Sequence, residues 1–175
     1  MTSPGVASLD WALRGGTVAL VLLLALPAAA QTYGFGRPAT EREIAGWNID
    51  VSPDGAGLPN GSGNVAQGKQ VYDKSCATCH GAKGEGKPAD RLVGGQGTLK
   101  SDRAVRTIGS YWPFATTIYD YVYRAMPYNA PQTLTPDEVY AATAYLLHLN
   151  GIVGADAVMN AQTLPKIRMP NRDGF

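Results

Sequence analysis

Cysteine is scarce in this chain: the 175 residues contain two, and histidine also occurs only twice. A scaffold stapled by several disulfides is excluded at once. Net charge is nearly absent as well, at +1, and it stays at +1 when Asp10 and Arg14 are removed with the leader described below, so binding to nucleic acid is not expected. No repeat and no low-complexity run interrupts the sequence. The apolar stretch Thr17 to Leu26 falls short of the roughly 20 residues that cross a bilayer, so stable membrane insertion is not expected either. No constellation of side chains marks a catalytic acid, base or nucleophile.

Both cysteines stand in one pentapeptide, Cys76-Ala77-Thr78-Cys79-His80. Cys-x-x-Cys-His is the attachment sequence of c-type haem. Two thiols three positions apart can each add to one vinyl group of a porphyrin, and the adjacent His80 then lies under the iron as its proximal ligand. A zinc site is short of ligands, because the only other His or Cys is His148, far along the chain. A thioredoxin-like pair would want a strand before it and a helix after it, whereas Gly81, Gly84 and Gly86 follow here. One covalent haem c is therefore expected on Cys76 and Cys79. In a small domain without disulfides, the porphyrin supplies much of the apolar core.

Haem of this type is attached outside the cytoplasm, and the chain opens accordingly. Arg14 precedes the apolar stretch, and Pro27-Ala28-Ala29-Ala30 ends it with small residues at both specificity positions. Residues 1–30 read as a signal peptide cleaved after Ala30, giving a periplasmic protein. Residues 31–63, rich in Gly, Pro, Asn and Asp, read as an irregular N-terminal arm. Residues 64–151 read as the haem domain and 152–175 as a C-terminal tail.

Within the arm, Thr40-Glu41-Arg42-Glu43 has capping-box spacing and predicts a short helix ending near Gly46 and Trp47. Trp47, Ile49 and Val51 alternate with polar residues, as in an extended segment packed on the domain or covered by a partner. Asn64 predicts the N-cap of a helix from Val65 to about Ser75. Its Gly68 predicts a close helix crossing, since an interior glycine costs about 1 kcal/mol against alanine. The partner is a last helix opened by Thr135-Pro136-Asp137-Glu138 and stopped by Asn150-Gly151, with Tyr145 facing the first. Between them, Asp102 to Ile108 predicts a short helix and Pro113 to Ala125 a longer one.

A haem with one histidine needs a second axial group or an open site. Met126 is the candidate, placed where Pro127 forbids helix continuation, and Met/His ligation raises the reduction potential and closes the iron to substrates. Met159 and Met169 are runners-up. His148 would give bis-histidine ligation, but it stands off the apolar stripe of the last helix and reads as exposed. Leu92, Tyr111 and Trp112, with Pro88, Gly94 and Gly95, are candidates for lining the haem. A carbonyl near Pro88 is expected to hold the His80 ring. Lys69, Lys74, Lys83 and Lys87 read either as a ring orienting a partner or as solvated surface.

Together these features resemble a class I cytochrome c, an all-α fold of three to five helices around one covalent haem. Narrower words, Gly109-Ser110-Tyr111-Trp112-Pro113-Phe114-Ala115-Thr116-Thr117 and Arg124-Ala125-Met126-Pro127, resemble the cytochrome subunits of bacterial sulfur-oxidising molybdenum enzymes, which include those of sulfane dehydrogenase in the Sox system and of sulfite dehydrogenase. Trp47 to Val51 and the tail Met169 to Phe175 match as well. The resemblance implies a non-enzymatic electron-transfer subunit that is reduced by a catalytic molybdenum-cofactor subunit and passes electrons to a soluble cytochrome or oxidase. Sulfane dehydrogenase cytochromes typically carry two haems, whereas this sequence has one attachment motif. A free-standing shuttle and a haem that binds a small ligand are the alternatives; they differ in partner association and in carbon monoxide binding.

Overall fold

A computed structural model describes residues 34–174, so the signal peptide assigned to residues 1–30 lies outside the described residues. The chain divides into two units, Met1–Ala39 and Thr40–Phe175. In the first, residues 34–39 are exposed and lack regular structure. Everything below concerns the second.

Helix α1, Glu41–Trp47, begins at the expected capping box, where Thr40 accepts from the Glu43 amide and the Glu43 carboxylate accepts from the Thr40 amide. None of its residues is buried. The extended packing expected of Trp47 therefore does not form: Trp47 ends the helix and is 87 % exposed, and of Trp47, Ile49 and Val51 only Val51 is buried.

Helix α2, Val65–Ser75, carries a second capping box, between Asn64 and Gln67. It crosses α5, Pro136–Leu149, whose own box joins Thr135 and Glu138. Gly68 lies at the crossing, where a Cβ would fall inside the contact radius of the Ala141 carbonyl and within 2.7 Å of the Tyr145 Cβ. The Tyr72 and Tyr145 rings meet beside it, 5.3 Å between centroids. The crossing expected from Gly68 and Tyr145 is thus formed, because only glycine lets the two backbones approach this closely.

Helix α3, Ala77–His80, is the single turn that follows α2. Helix α4, Ala115–Ala125, packs on α5 and starts two residues later than Pro113. Phe114 is extended and bridges antiparallel to Arg168, which holds it out of the first turn. The helix expected at Asp102 to Ile108 does not form. Here the backbone is tied by side chains: the Thr98 hydroxyl accepts from the Val105 amide at 3.0 Å, and the Ser110 hydroxyl accepts from the Thr107 amide at 2.9 Å and donates to the Val105 carbonyl at 2.6 Å. Hydroxyls that serve backbone groups in this way compete with a helical ladder.

Arm and tail are stitched to the helices and to each other. Strand β1, Ser62–Asn64, pairs antiparallel with β2, Val158–Asn160, with Gly63 opposite Met159. The Val51 amide donates to the buried Asp120 carboxylate of α4 at 2.8 Å, and Tyr140 of α5 donates to the Pro59 carbonyl at 2.9 Å. A 3-10 turn, Leu164–Lys166, packs on α4. Among the described residues no helix is long and apolar enough to cross a membrane.

Candidate haem site

Helix α3 decides the geometry of the pentapeptide. The amides of Cys79 and His80 both donate to the Cys76 carbonyl, at 3.1 and 3.0 Å, winding one helical turn. Residues three and four apart share a helix face, so Cys76, Cys79 and His80 project to one side. Gly81, at φ +83°, ends the turn in a conformation open to glycine. The Tyr72 hydroxyl then donates to the Gly81 carbonyl at 2.8 Å, tying the motif to the α2–α5 crossing.

Neither cysteine is in a disulfide, and Cys76 is half-buried while Cys79 is exposed. Burial, with a smaller contribution from Cys79, pushes the Cys76 thiol up to about 11. The His80 ring is oriented by its Nδ1, 2.7 Å from the carbonyl oxygen of Asp90. A carbonyl only accepts, so Nδ1 carries the proton and Nε2 keeps its lone pair. The expected acceptor near Pro88 is thus found two residues on, at Asp90.

Leu92 is held over the end of α5 by Asn150. The Asn150 side chain donates to the Leu92 carbonyl at 3.2 Å and accepts from the Gly94 amide at 3.2 Å, while Gln96 donates to the Asn150 carbonyl at 3.2 Å. Read from the sequence, Asn150 is only a helix stop. Its buried side chain is also the clamp that binds the loop 92–96 to the helix, a role visible only once the loop is in place.

Met126 caps α4 in extended conformation and is half-buried. With Cys76, Ala77, Leu92, Trp112 and Leu149 it belongs to a set of apolar side chains that pack on the core yet stay partly uncovered. Met159 and Met169 differ: though they belong to the tail, their side chains are almost fully buried in the core itself. His148 is half-buried rather than exposed, with Nδ1 3.2 Å from the Val153 carbonyl. Trp112 meets Tyr121 edge to face at 5.8 Å. Tyr111, at 36 % exposure, lies under the Arg106 guanidinium. Lys69 pairs with Asp73, and Lys74, Lys83 and Lys87 are exposed.

These residues fit a covalently held porphyrin better than a bare metal ion. Two thiols three positions apart and one imidazole with a free Nε2 share a face, and Cys76 and Ala77 of the motif pack on the core with other half-covered apolar side chains. Among the described residues no group of three or more His, Cys, Asp or Glu is placed to hold a metal ion. A surface cleft lined by Gln67, Lys74, Asp137 and Glu138, and another lined by Trp47, Ile49, Arg124 and Gln132, include neither cysteine, nor His80, nor Met126.

Comparison with known proteins agrees with this chemistry. The family model described as cytochrome c matches residues 65–150. The chain is similar to a chain in the crystal structure of the sulfane dehydrogenase SoxCD from Paracoccus pantotrophus, with 46 % sequence identity and a TM-score of 0.78. That similarity covers 82 % of this chain and 71 % of the other.

Proposed function

Since the chain belongs to the class I c-type cytochromes, carries haem c and transfers electrons, we propose that it is a periplasmic relay which receives electrons one at a time from a molybdenum-containing sulfur dehydrogenase and passes them to a downstream cytochrome or oxidase. The observation that carries this reading is the 46 % identity to a chain of the SoxCD sulfane dehydrogenase, spread over 82 % of this sequence. Haem c supplies a one-electron acceptor and donor. In this reading Cys76 and Cys79 would hold it through thioethers, and His80 and Met126 would be the ligands of its iron. Leu92, Trp112 and Tyr111 would contribute to its apolar surroundings. Asp90 fixes the imidazole through Nδ1, so the ring need not reorient when the oxidation state changes.

The arm supports the presence of a partner. A seven-residue helix is too short to be stable by propensity alone, yet α1 buries nothing and turns out Ile44, 50 % exposed, and Trp47. Apolar side chains at i and i+3 on a short helix are a common anchor for a groove on another protein. A catalytic subunit is the partner proposed for them. Sulfur oxidation on that subunit releases electrons in pairs, sulfite and water giving sulfate, two protons and two electrons, so a one-haem carrier serves each turnover twice.

The test is reconstitution. The purified haem protein, mixed with a molybdenum-containing sulfur dehydrogenase subunit from the same organism, is expected to be reduced by sulfite or by a sulfane-sulfur donor only when that subunit is present, and to copurify with it. Reduction by neither donor in any such pairing, with a monodisperse monomer throughout, would replace this reading with that of a free-standing shuttle. Rapid binding of carbon monoxide to the reduced native protein would instead favour a ligand-binding haem. The export assignment is read separately: the mature protein is expected to begin at Gln31, which intact-mass measurement detects.

A further inference from the structure

The tail closes over the segment that leads into α4 and builds a surface the relay role does not by itself explain. Asn171 donates from Nδ2 to the Tyr111 carbonyl at 2.7 Å, the bridge between Phe114 and Arg168 lies beside it, and the buried Met169 anchors the strap between them. Arg172 is thereby laid over the Phe114 ring, 4.0 Å from its centroid. Arg106 lies 5.6 Å from the centre of the Tyr111 ring. Trp112, which follows Tyr111 in the chain, meets the edge of Tyr121, itself 47 % exposed.

The charges on this face do not cancel. Arg168 is neutralised by Asp173, whereas among the described residues neither Arg106 nor Arg172 is paired with a carboxylate, and both are exposed. Each is held instead by an aromatic ring, which orients the guanidinium without consuming its charge. Arginine, tyrosine and tryptophan are the residues most enriched at the energetic centres of protein interfaces. Here they are held in place before any partner arrives, which lowers the ordering cost of association. The arm, by contrast, is acidic, with Glu41, Glu43, Asp50 and Asp54 against Arg37 and Arg42.

We propose that the face formed by Arg106, Tyr111, Trp112, Phe114, Tyr121 and Arg172 is the docking surface for an acidic-surfaced redox protein that exchanges electrons with the haem. The occupant is chosen by charge: a net positive patch with aromatic rings between its cations complements a carboxylate-rich patch with an apolar centre. This surface lies on the tail side of α4, on different residues from the exposed apolar helix of the arm. A relay could therefore hold a permanent partner by α1 and meet a transient one here. The assignment does not depend on which enzyme reduces the haem.

The experiment uses the complete mature haem protein, reduced and mixed in a stopped-flow instrument with an acidic blue-copper protein, with anionic hexacyanoferrate(III) or with cationic tris(phenanthroline)cobalt(III). Arg172→Glu and Arg106→Glu are each expected to slow oxidation by the copper protein about tenfold at low salt, with the difference vanishing at high salt. Hexacyanoferrate should follow the copper protein, and the cobalt complex should be unaffected or faster. Arg172→Lys keeps the charge and should retain most of the rate. Arg42→Glu makes the same change of charge on the arm and should alter the rate less than about twofold. Equal slowing by Arg42→Glu and Arg172→Glu would mean that only the net charge matters and would overturn the proposal. So would unchanged rates in Arg106→Glu and Arg172→Glu proteins whose haem spectra and helicity are native.

Discussion

At the residue scale, the proposed axial role of Met126 makes the sharpest claim. Its thioether belongs to a half-covered apolar set, whereas Met159 and Met169 are consumed by the core. Met126→Ala is expected to abolish the far-red absorption of sulfur-to-iron ligation, to lower the reduction potential and to open the reduced iron to carbon monoxide; an unchanged oxidised spectrum would show that another residue is the ligand. Gly68 sets a second test. Replacing it with alanine gains up to about 1 kcal/mol of helix propensity, but the new Cβ meets the Ala141 backbone, which cannot move aside cheaply. Overpacking of this kind costs about 1–3 kcal/mol. Gly68→Ala is therefore expected to be destabilising on balance, as a drop in thermal midpoint would show.

At the scale of elements, the helices legible in the sequence are those whose signals are local. Capping-box spacing at Thr40 and Thr135 and the N-cap Asn64 place the starts of α1, α5 and α2 where the structure has them. Thr135→Ala removes one such cap and is expected to cost about 1 kcal/mol, measured by denaturant unfolding. The Glu138 carboxylate in the same box is held below its usual range by the Thr135 amide and then by its hydroxyl. A depressed carboxylate contributes stability above its unfolded pKa and loses it on acidification. That contribution is present above pH 4.5 and declines below it, and the decline is expected to be absent in Glu138→Gln. The short helix expected at Asp102 to Ile108 does not form, because the Thr98 and Ser110 hydroxyls offer its backbone groups hydrogen bonds that compete with a helical ladder.

At the scale of the whole molecule, arm and tail form one buttress. Asp120 binds the Val51 amide, Gly63 pairs with Met159, and Leu164 and Met169 are buried beneath them. Tyr72 and Tyr140 belong to this interior, and burial is the leading cause that raises each to about 12, from an ordinary value near 10. A group whose folded pKa is raised contributes stability that is complete below its unfolded pKa and is lost as pH rises toward the folded one. Unfolding in alkali is therefore expected between pH 10 and 12, with tyrosine ionisation at 295 nm tracking the loss of helicity. Ionisation well before unfolding would show that these hydroxyls are reachable in the native state. Trp47→Ser should leave stability within about 0.5 kcal/mol, as expected of an exposed position, while weakening association with the catalytic subunit in a pull-down.

Cys76-Ala77-Thr78-Cys79-His80 determined by itself that the chain carries haem c, because that chemistry depends on the spacing of five consecutive residues. Gly68, Tyr72, Tyr145 and the caps at Thr40, Asn64 and Thr135 determined most of the helical frame, because a cap or a close crossing leaves its mark within a few positions. Only the tertiary structure decided that Asp90 orients His80, that Asn150 clamps the Leu92 loop, that Asp120 secures the arm and that the tail lays Arg172 over Phe114. Each of these links groups 10 to 69 residues apart. Contacts at such separations leave no periodic trace in the chain, since what selects them is complementarity of burial and hydrogen bonding after the helices have packed.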